Sequence, residues 1–119
     1  MTGDGTAAPL ERIRRLADAR GLLEVTIGTS HGRPAFKVRD KTFVVVRDAD
    51  ELSLLIPIEN KEMLIEMAPD IYYETEHFKG WPAVIVRLPL ISDAELSLRL
   101  EDAWRGNAPK RLAVMLFGR

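Results

Sequence analysis

Residues 34–56 read PAFKVRDKTFVVVRDADELSLLI, and this stretch decides the fold. It contains three apolar runs, at 35–38, 42–47 and 52–56, that are rich in β-branched and aromatic residues. Charged residues fill the two short breaks between the runs, and breaks of this length suit hairpins. The stretch therefore predicts three consecutive antiparallel strands.

The side chains of the first run alternate between two faces. Phe36 and Val38 point to one side of the strand, and Lys37 and Arg39 point to the other. Antiparallel sheets often bury one face and leave the other in water. The pattern therefore predicts a meander with one buried face.

Helical patterns flank this meander. Before it, apolar residues recur at helical spacing between Pro9 and a C-terminal stop at Gly21. Residues 28–34 (GTSHGRP) have the composition of a turn. After the meander, residues 59–68 predict a second helix, with an apolar face made of Met63, Leu64 and Met67.

The second half of the chain predicts two more strands and a third helix. Residues 71–75 and 83–88 form strands four and five, with Val84 and Val86 facing the core. A capping box, Ser92-Asp-Ala-Glu95, begins the third helix, and residues 110–117 form a last short helix.

The loop between strands four and five is compact and rich in aromatic residues. We expect Gly80 to adopt a backbone shape closed to other residues and Pro82 to restrict entry into strand five. We also expect Trp81 to bury most of its ring, and the sequence is compatible with both Trp81 and Trp104 filling the seam between the sheet and the third helix.

The element order is α-β(3)-α-β(2)-α, in which strands do not alternate with helices. This order predicts an α+β fold, a two-layer α/β sandwich with a mainly antiparallel sheet and helices on one face. Residues 1–7 are small and polar and are expected to be disordered, and residues 8–119 form a single domain.

Composition excludes several classes of function. The chain has 119 residues and no cysteine, so disulfides, thiolate nucleophiles and cysteine-based metal sites are absent. The N-terminus lacks the pattern of a secretory signal, no apolar run could span a membrane, and the composition suits the cytoplasm. The net charge of -1 counts mildly against a nucleic-acid binder but allows a local basic face.

Neither histidine sits in a catalytic or metal-ligand motif. His31 and His77 lie in turn-rich stretches, and neither has a second ligand at i+4. The segment 28–32 could cradle an anion through backbone N–H groups, although a flexible loop is the better explanation. We therefore expect no metal, no cofactor and no enzymatic activity.

Basic and aromatic residues interleave on two predicted hairpins. Such residues can follow a phosphate backbone and stack on bases. Exposed hairpins also carry Lys and Arg simply to protect sheet edges, so both explanations stay open. The candidate nucleic-acid-binding residues are Arg33, Lys37, Arg39, Lys41, His77, Lys79, Trp81, Arg87 and Lys110.

Three segments resemble the MmcQ/YjbR family of small bacterial proteins: PAFKVRDKTFVVV, APDIYYETEHFKGWPAVIVRL and LEDAWRGNAPKRL. The resemblance runs from about residue 10 to residue 112, and the segment from Thr75 to Leu88 is its most specific part. The chain departs from the family at Glu76, where proline is more frequent, and at Arg39-Asp40, where a glycine turn is common.

The resemblance implies the same α-β(3)-α-β(2)-α order. It also implies a double-wing arrangement, in which two β-hairpins are proposed to grip DNA, and it carries no established enzymatic activity over to this chain. Because this functional description rests on shape, two other functions stay open. The domain could hold a protein partner at a sheet edge, as secretion chaperones of similar architecture do, or bind a small anionic ligand near His31 and His77.

A surface map separates these three functions. A continuous basic stripe favours DNA, a large apolar patch favours a protein partner, and a closed polar pocket with both histidines favours a small anion.

Overall fold

The computed structural model describes residues 5–117, which form four helices and one six-stranded antiparallel sheet. The sheet order is β1-β2-β3-β4-β6-β5. The elements are α1 (Ala7–Arg20), β1 (Val25–Ser30), β2 (Arg33–Val38), β3 (Lys41–Val46), β4 (Glu51–Leu55), α2 (Ile58–Met67), β5 (Tyr72–Tyr73), β6 (Ala83–Arg87), α3 (Asp93–Asn107) and α4 (Lys110–Phe117), with 3₁₀ turns at Glu76–Phe78 and Leu88–Leu90. The predicted α+β class is confirmed.

The core lies between the helices and one face of the sheet, which we call the helical face. Alternation along the strands brings Phe36, Val38, Val84 and Val86 to this side, and all four are buried as predicted. Trp104 of α3 is 0% exposed and donates its indole N–H to the carbonyl of Leu23 at 3.0 Å. The other side of the sheet, which we call the open face, carries no α-helix among residues 5–117.

The sheet has one strand more than the sequence predicts, because residues 25–30 form β1. β1 pairs with β2 along its whole length, from Val25 opposite Val38 to Ser30 opposite Arg33. Only His31 and Gly32 form the turn, with φ of 53° and 79°. Two residues with positive φ give the turn type that matches the twist of a hairpin. The predicted turn at 28–34 is therefore wrong at both ends, and four strands precede α2 rather than three.

The predicted apolar face of α2 is also wrong. Leu64 is buried, but Met63 and Met67 are 53% and 72% exposed. The residue buried in their place is Lys61, which is only 2% exposed, because its ammonium group meets polar atoms of the neighbouring loop. Strand four is likewise shorter than predicted, since only Tyr72–Tyr73 pairs with β6.

The capping box at α3 is half formed. Ser92 Oγ accepts the backbone N–H of Glu95 at 3.1 Å, as the motif predicts. The Glu95 carboxylate instead accepts a hydrogen bond from the phenol hydroxyl of Tyr72. Burial and then this hydrogen bond raise the pKa of Tyr72.

Part of the N-terminal segment predicted to be disordered is described. Residues 1–4 lie outside the described range, whereas Thr6 is buried and Ala7 begins α1. None of the helices within residues 5–117 combines the length and the apolar character needed to cross a bilayer.

Candidate functional site

A cleft of about 540 Å³ lies on the open face of the sheet. Its floor comes from the central strands, because Val45 pairs with Ser53 and the side chains two residues along share the same face. The turn at His31 stands at one side, and the loop between β5 and β6 lies over the other. The lining residues are Ser30, His31, Arg33, Thr42, Val45, Arg47, Ser53, Leu55, Thr75, His77, Phe78, Trp81 and Ala83.

Lys61 of α2 holds the loop over the cleft. Its ammonium group donates to the carbonyl oxygens of Phe78 at 3.0 Å and Trp81 at 2.6 Å. The same group forms an ion pair with Glu74 at 2.8 Å. Three acceptors match the three N–H donors of an ammonium group, which makes the burial of this charge tolerable. The loop is therefore attached to α2 by a buried cation.

The prediction that Trp81 buries most of its ring is wrong, since the residue is 64% exposed. Its backbone is nevertheless well held, because the Trp81 N–H donates to Phe78 and the Trp81 carbonyl accepts from Ala83 at 2.8 Å. Gly80 has a φ of 79°, as expected for a glycine-dependent turn. The indole lies at the open face, where none of the α-helices within residues 5–117 covers it.

The polar side chains of the cleft are cationic or neutral. The guanidinium of Arg47 lies 5.4 Å from the centroid of the Phe78 ring, and Arg33 donates to the backbone carbonyl of Arg47 at 3.1 Å. Glu51 lies behind Arg47, at 3.8 Å, and offsets part of its charge. Within the described residues, no aspartate or glutamate lines the cleft. The site therefore attracts anions.

Three of the predicted lysines add free charge near this surface. The stem of Lys37 lies beside Gly28 on the open face. Lys41 begins β3, and Lys79 lies at the exposed end of the loop. None of the three forms an ion pair within residues 5–117, so their charges remain available.

The remaining predicted cations are engaged elsewhere or lie on another surface. The guanidinium of Arg39 donates two hydrogen bonds to the carboxylate of Glu24, one of them from Nη2 to Oε2 at 3.1 Å. This pairing lowers the pKa of Glu24. Arg87 stacks on the Tyr73 ring, 4.0 Å from its centroid, and donates to backbone carbonyls. Lys110 begins α4, whose Leu112 belongs to the core on the helical face.

The structure thus brings Arg33, His77 and Trp81 together and leaves Arg39, Arg87 and Lys110 apart from them. Sequence reasoning did not place Arg47 or Lys61 in a binding surface, and it named His31 only for the small-anion hypothesis. For Arg47 a signal existed, since it continues the alternation of β3 onto the open face. Nothing local marks Lys61, because its acceptors lie 17 and 20 residues away.

Both histidines line the same cleft, as the small-anion hypothesis requires. The cleft is nevertheless open on one side, and apolar residues make up much of its lining. The described residues contain no group of three or more His, Cys, Asp and Glu side chains placed to hold a metal ion. The cleft is therefore a binding surface with a cationic side and an apolar side.

The YjbR family model matches residues 20–106, most of the chain. The chain belongs to the YjbR family. Every residue that lines the cleft lies within the matched range, whereas Lys110 lies beyond it. The cleft is thus built from the part of the chain that the YjbR family model covers.

Curated relatives come from mycobacteria. Two proteins of Mycobacterium tuberculosis and one of Mycobacterium bovis, all named as uncharacterized, are 44% identical to this chain over 52 residues. The matched segment is 44% of this chain and 40% of each relative, so it spans two fifths of their length. No solved structure matches the chain.

Proposed function

We propose that this YjbR-family protein binds nucleic acid, and DNA in particular, on the open face of its sheet, without a chemical step. The observation that carries the proposal is the cleft that has two arginines, two histidines and an exposed tryptophan but no carboxylate among its described residues. Cations that meet phosphates and aromatic rings that meet bases are the combination that nucleic-acid surfaces use.

The charge distribution supports this proposal although the net charge is -1. On α2 the exposed charges are acidic, at Glu59, Glu62 and Glu66, and α2 packs beside β5 and β6 on the helical side. Lys37, Lys41 and Lys79 lie instead on and around the open face. A local basic surface can steer a polyanion even when the whole protein is nearly neutral.

The double-wing arrangement has a geometric counterpart. β3 and β6 both run antiparallel to β4, so both strands begin at the same end of the sheet. β3 begins with Lys41, directly after its turn, and the loop before β6 carries Lys79. Two basic hairpins at one end of the sheet could contact the phosphates on either side of a bound strand.

The expected binding is weak and sensitive to salt. With Arg33, Lys37, Lys41 and Lys79 available, about three to four phosphates are neutralised, so log K falls with log salt at a slope of about −3 on duplex DNA. Non-specific affinity lies at about 10⁻⁴–10⁻⁶ M. A cytoplasmic location, which the composition suits, would give the protein access to DNA.

Fluorescence anisotropy of labelled DNA over a salt series tests the proposal. Lys37→Ala and Lys79→Ala should weaken binding to all sequences alike and flatten the slope by about one unit each. Lys110→Ala is the matched control, because it removes one exposed lysine from the helical side. Failure to bind at about 50 mM salt and about 100 μM protein would overturn the proposal.

A second function, capture of a protein partner by strand addition, is favoured by one observation at the sheet edge. β1 is a six-residue edge strand, and its Ile27 is 45% exposed. Edge strands offer unpaired backbone groups to another chain. Light scattering of wild type and Ile27→Lys tests self-association at this edge. If the wild-type protein is a monomer at all concentrations, β1 does not pair with a second copy of the chain.

A further inference from the structure

Trp81 is an exposed aromatic residue on a restrained backbone. The carbonyl of Trp81 accepts from Lys61 at 2.6 Å and from Ala83 at 2.8 Å, while its N–H donates to Phe78 at 3.0 Å. The side chain is nevertheless 64% exposed. A ring that is held in place but not covered can receive a flat ligand at a low cost in conformational entropy.

The cleft beside Trp81 has the size of a small-molecule site. Its volume of about 540 Å³ falls within the range of about 300–1,000 Å³ for ligand pockets. Strand register separates its two ends. Ser30, opposite Arg33, lies at the end near the His31 turn, whereas Ala83, opposite Leu55, lies at the end near Trp81. Within the cleft, Arg33 therefore lies at the first end, and Trp81 lies with Leu55 and Ala83 at the second.

A nucleotide has the same division between an anionic phosphate and a flat base. In a duplex, however, the bases are paired and stacked, so only phosphates and groove edges reach a protein surface. We propose that the cleft receives one unpaired nucleotide, with its base on Trp81 and its phosphate toward His31 and Arg33. Single strands and frayed ends then bind more tightly than duplex. This inference rests on the nucleic-acid function proposed above.

The test compares a labelled twelve-nucleotide oligothymidine with a blunt twelve-base-pair duplex, by anisotropy and by tryptophan fluorescence at low salt. Because Trp104 is 0% exposed, quenching by the oligonucleotide reports on Trp81. We expect the single strand to bind about tenfold more tightly than the duplex, as the stacking of one base allows. Trp81→Ala should remove this preference, and Trp81→Phe should keep most of it. Leu90→Ala, at another exposed apolar residue, is the control.

The outcomes separate the inference from the function on which it rests. If duplex and single strand bind equally and Trp81→Ala changes neither, the nucleotide site is wrong and DNA binding stands. If the single strand binds more tightly but Trp81→Ala has no effect, the site is also wrong, because the base lies elsewhere. If neither probe binds, the proposed function itself fails.

Discussion

The two faces of the sheet place the two tryptophans in opposite environments. Trp104 lies on the helical face, is 0% exposed and donates its indole N–H to Leu23. Trp81 lies at the open face, is 64% exposed, and has its backbone N–H and carbonyl held by hydrogen bonds. The same side chain thus supports the core on one face and remains available to a ligand on the other. The difference in exposure between the two tryptophans depends on whether an α-helix covers the side chain.

Trp104→Ala gives the largest expected effect. The substitution empties the core between α3 and the sheet, so the free energy of unfolding should fall by about 3–5 kcal/mol. Urea unfolding followed by circular dichroism measures it. Leu98→Ala, on the same helix but 46% exposed, is the control and should cost much less. A loss below about 1 kcal/mol would mean that the helical face is not the main core.

Lys61→Met tests the link between α2 and the open face. The variant keeps the length of the side chain but removes its hydrogen bonds to Phe78 and Trp81 and its ion pair with Glu74. We expect a loss of about 1.5–3 kcal/mol, since hydrogen bonds from charged groups are involved.

Hydrogen exchange should rise at the backbone amides of residues 75–81 in Lys61→Met and stay unchanged in the central strands. Lys79→Met, at an exposed position of the same loop, is the matched control. Equal protection of the loop in wild type and Lys61→Met would show that the buried cation does not restrain it.

Tyr72→Phe tests the polar bond between the helical face and α3. Burial and the bond to Glu95 raise the pKa of Tyr72, so the folded protein keeps the phenol proton at a pH where the unfolded chain releases it. Stability from this group is present below about pH 10, the ordinary tyrosine value, and falls as the pH rises further.

Thermal melts between pH 7 and pH 11 should therefore decline less steeply above pH 10 in Tyr72→Phe, which also loses about 1 kcal/mol at pH 7. Tyr73→Phe is the comparison variant: the bond to Glu51 also raises the pKa of Tyr73, but at a more exposed position, so this variant should flatten the decline less. Parallel alkaline declines in wild type and Tyr72→Phe would contradict the assignment.

Trp81→Ala should have the smallest effect on stability. Because most of the ring is exposed, the free energy of unfolding should change by no more than about 0.5–1 kcal/mol. The same urea titration used for Trp104→Ala measures it, so the pair compares the two faces directly. A loss above about 2 kcal/mol would show that the ring is packed and that the open face is partly closed.

Much of the fold could be predicted because it depends on local patterns. Period-two alternation placed Phe36 and Val38 on the buried face, and the Ser92 cap marked the start of α3. The sequence did not predict β1, because an edge strand with one open face needs few apolar residues. Its glycine, Gly28, and its hydroxyl side chains are also typical of turns. The signal that could have predicted β1 was the two-residue turn at His31 and Gly32, which indicates a hairpin.

The candidate site was less predictable, because it consists of contacts between distant segments. The sequence named Arg33, His77 and Trp81 but could not show that the 75–81 loop lies over strands β3 and β4. It also could not show that Arg39 and Arg87 are engaged by Glu24 and Tyr73. A basic side chain has the same local signature whether its charge is free or paired.

The amino-acid sequence by itself determined the family, the α+β class and the backbone shapes of short segments, because these depend on neighbouring residues: Gly80 at positive φ, and the Ser92 cap. Only the tertiary structure decided which side chains are covered. Lys61 is buried and Trp81 is exposed, against the usual preference of both residue types. The physical reason is that burial depends on which distant segment lies above a side chain, and that partner can be far away along the chain.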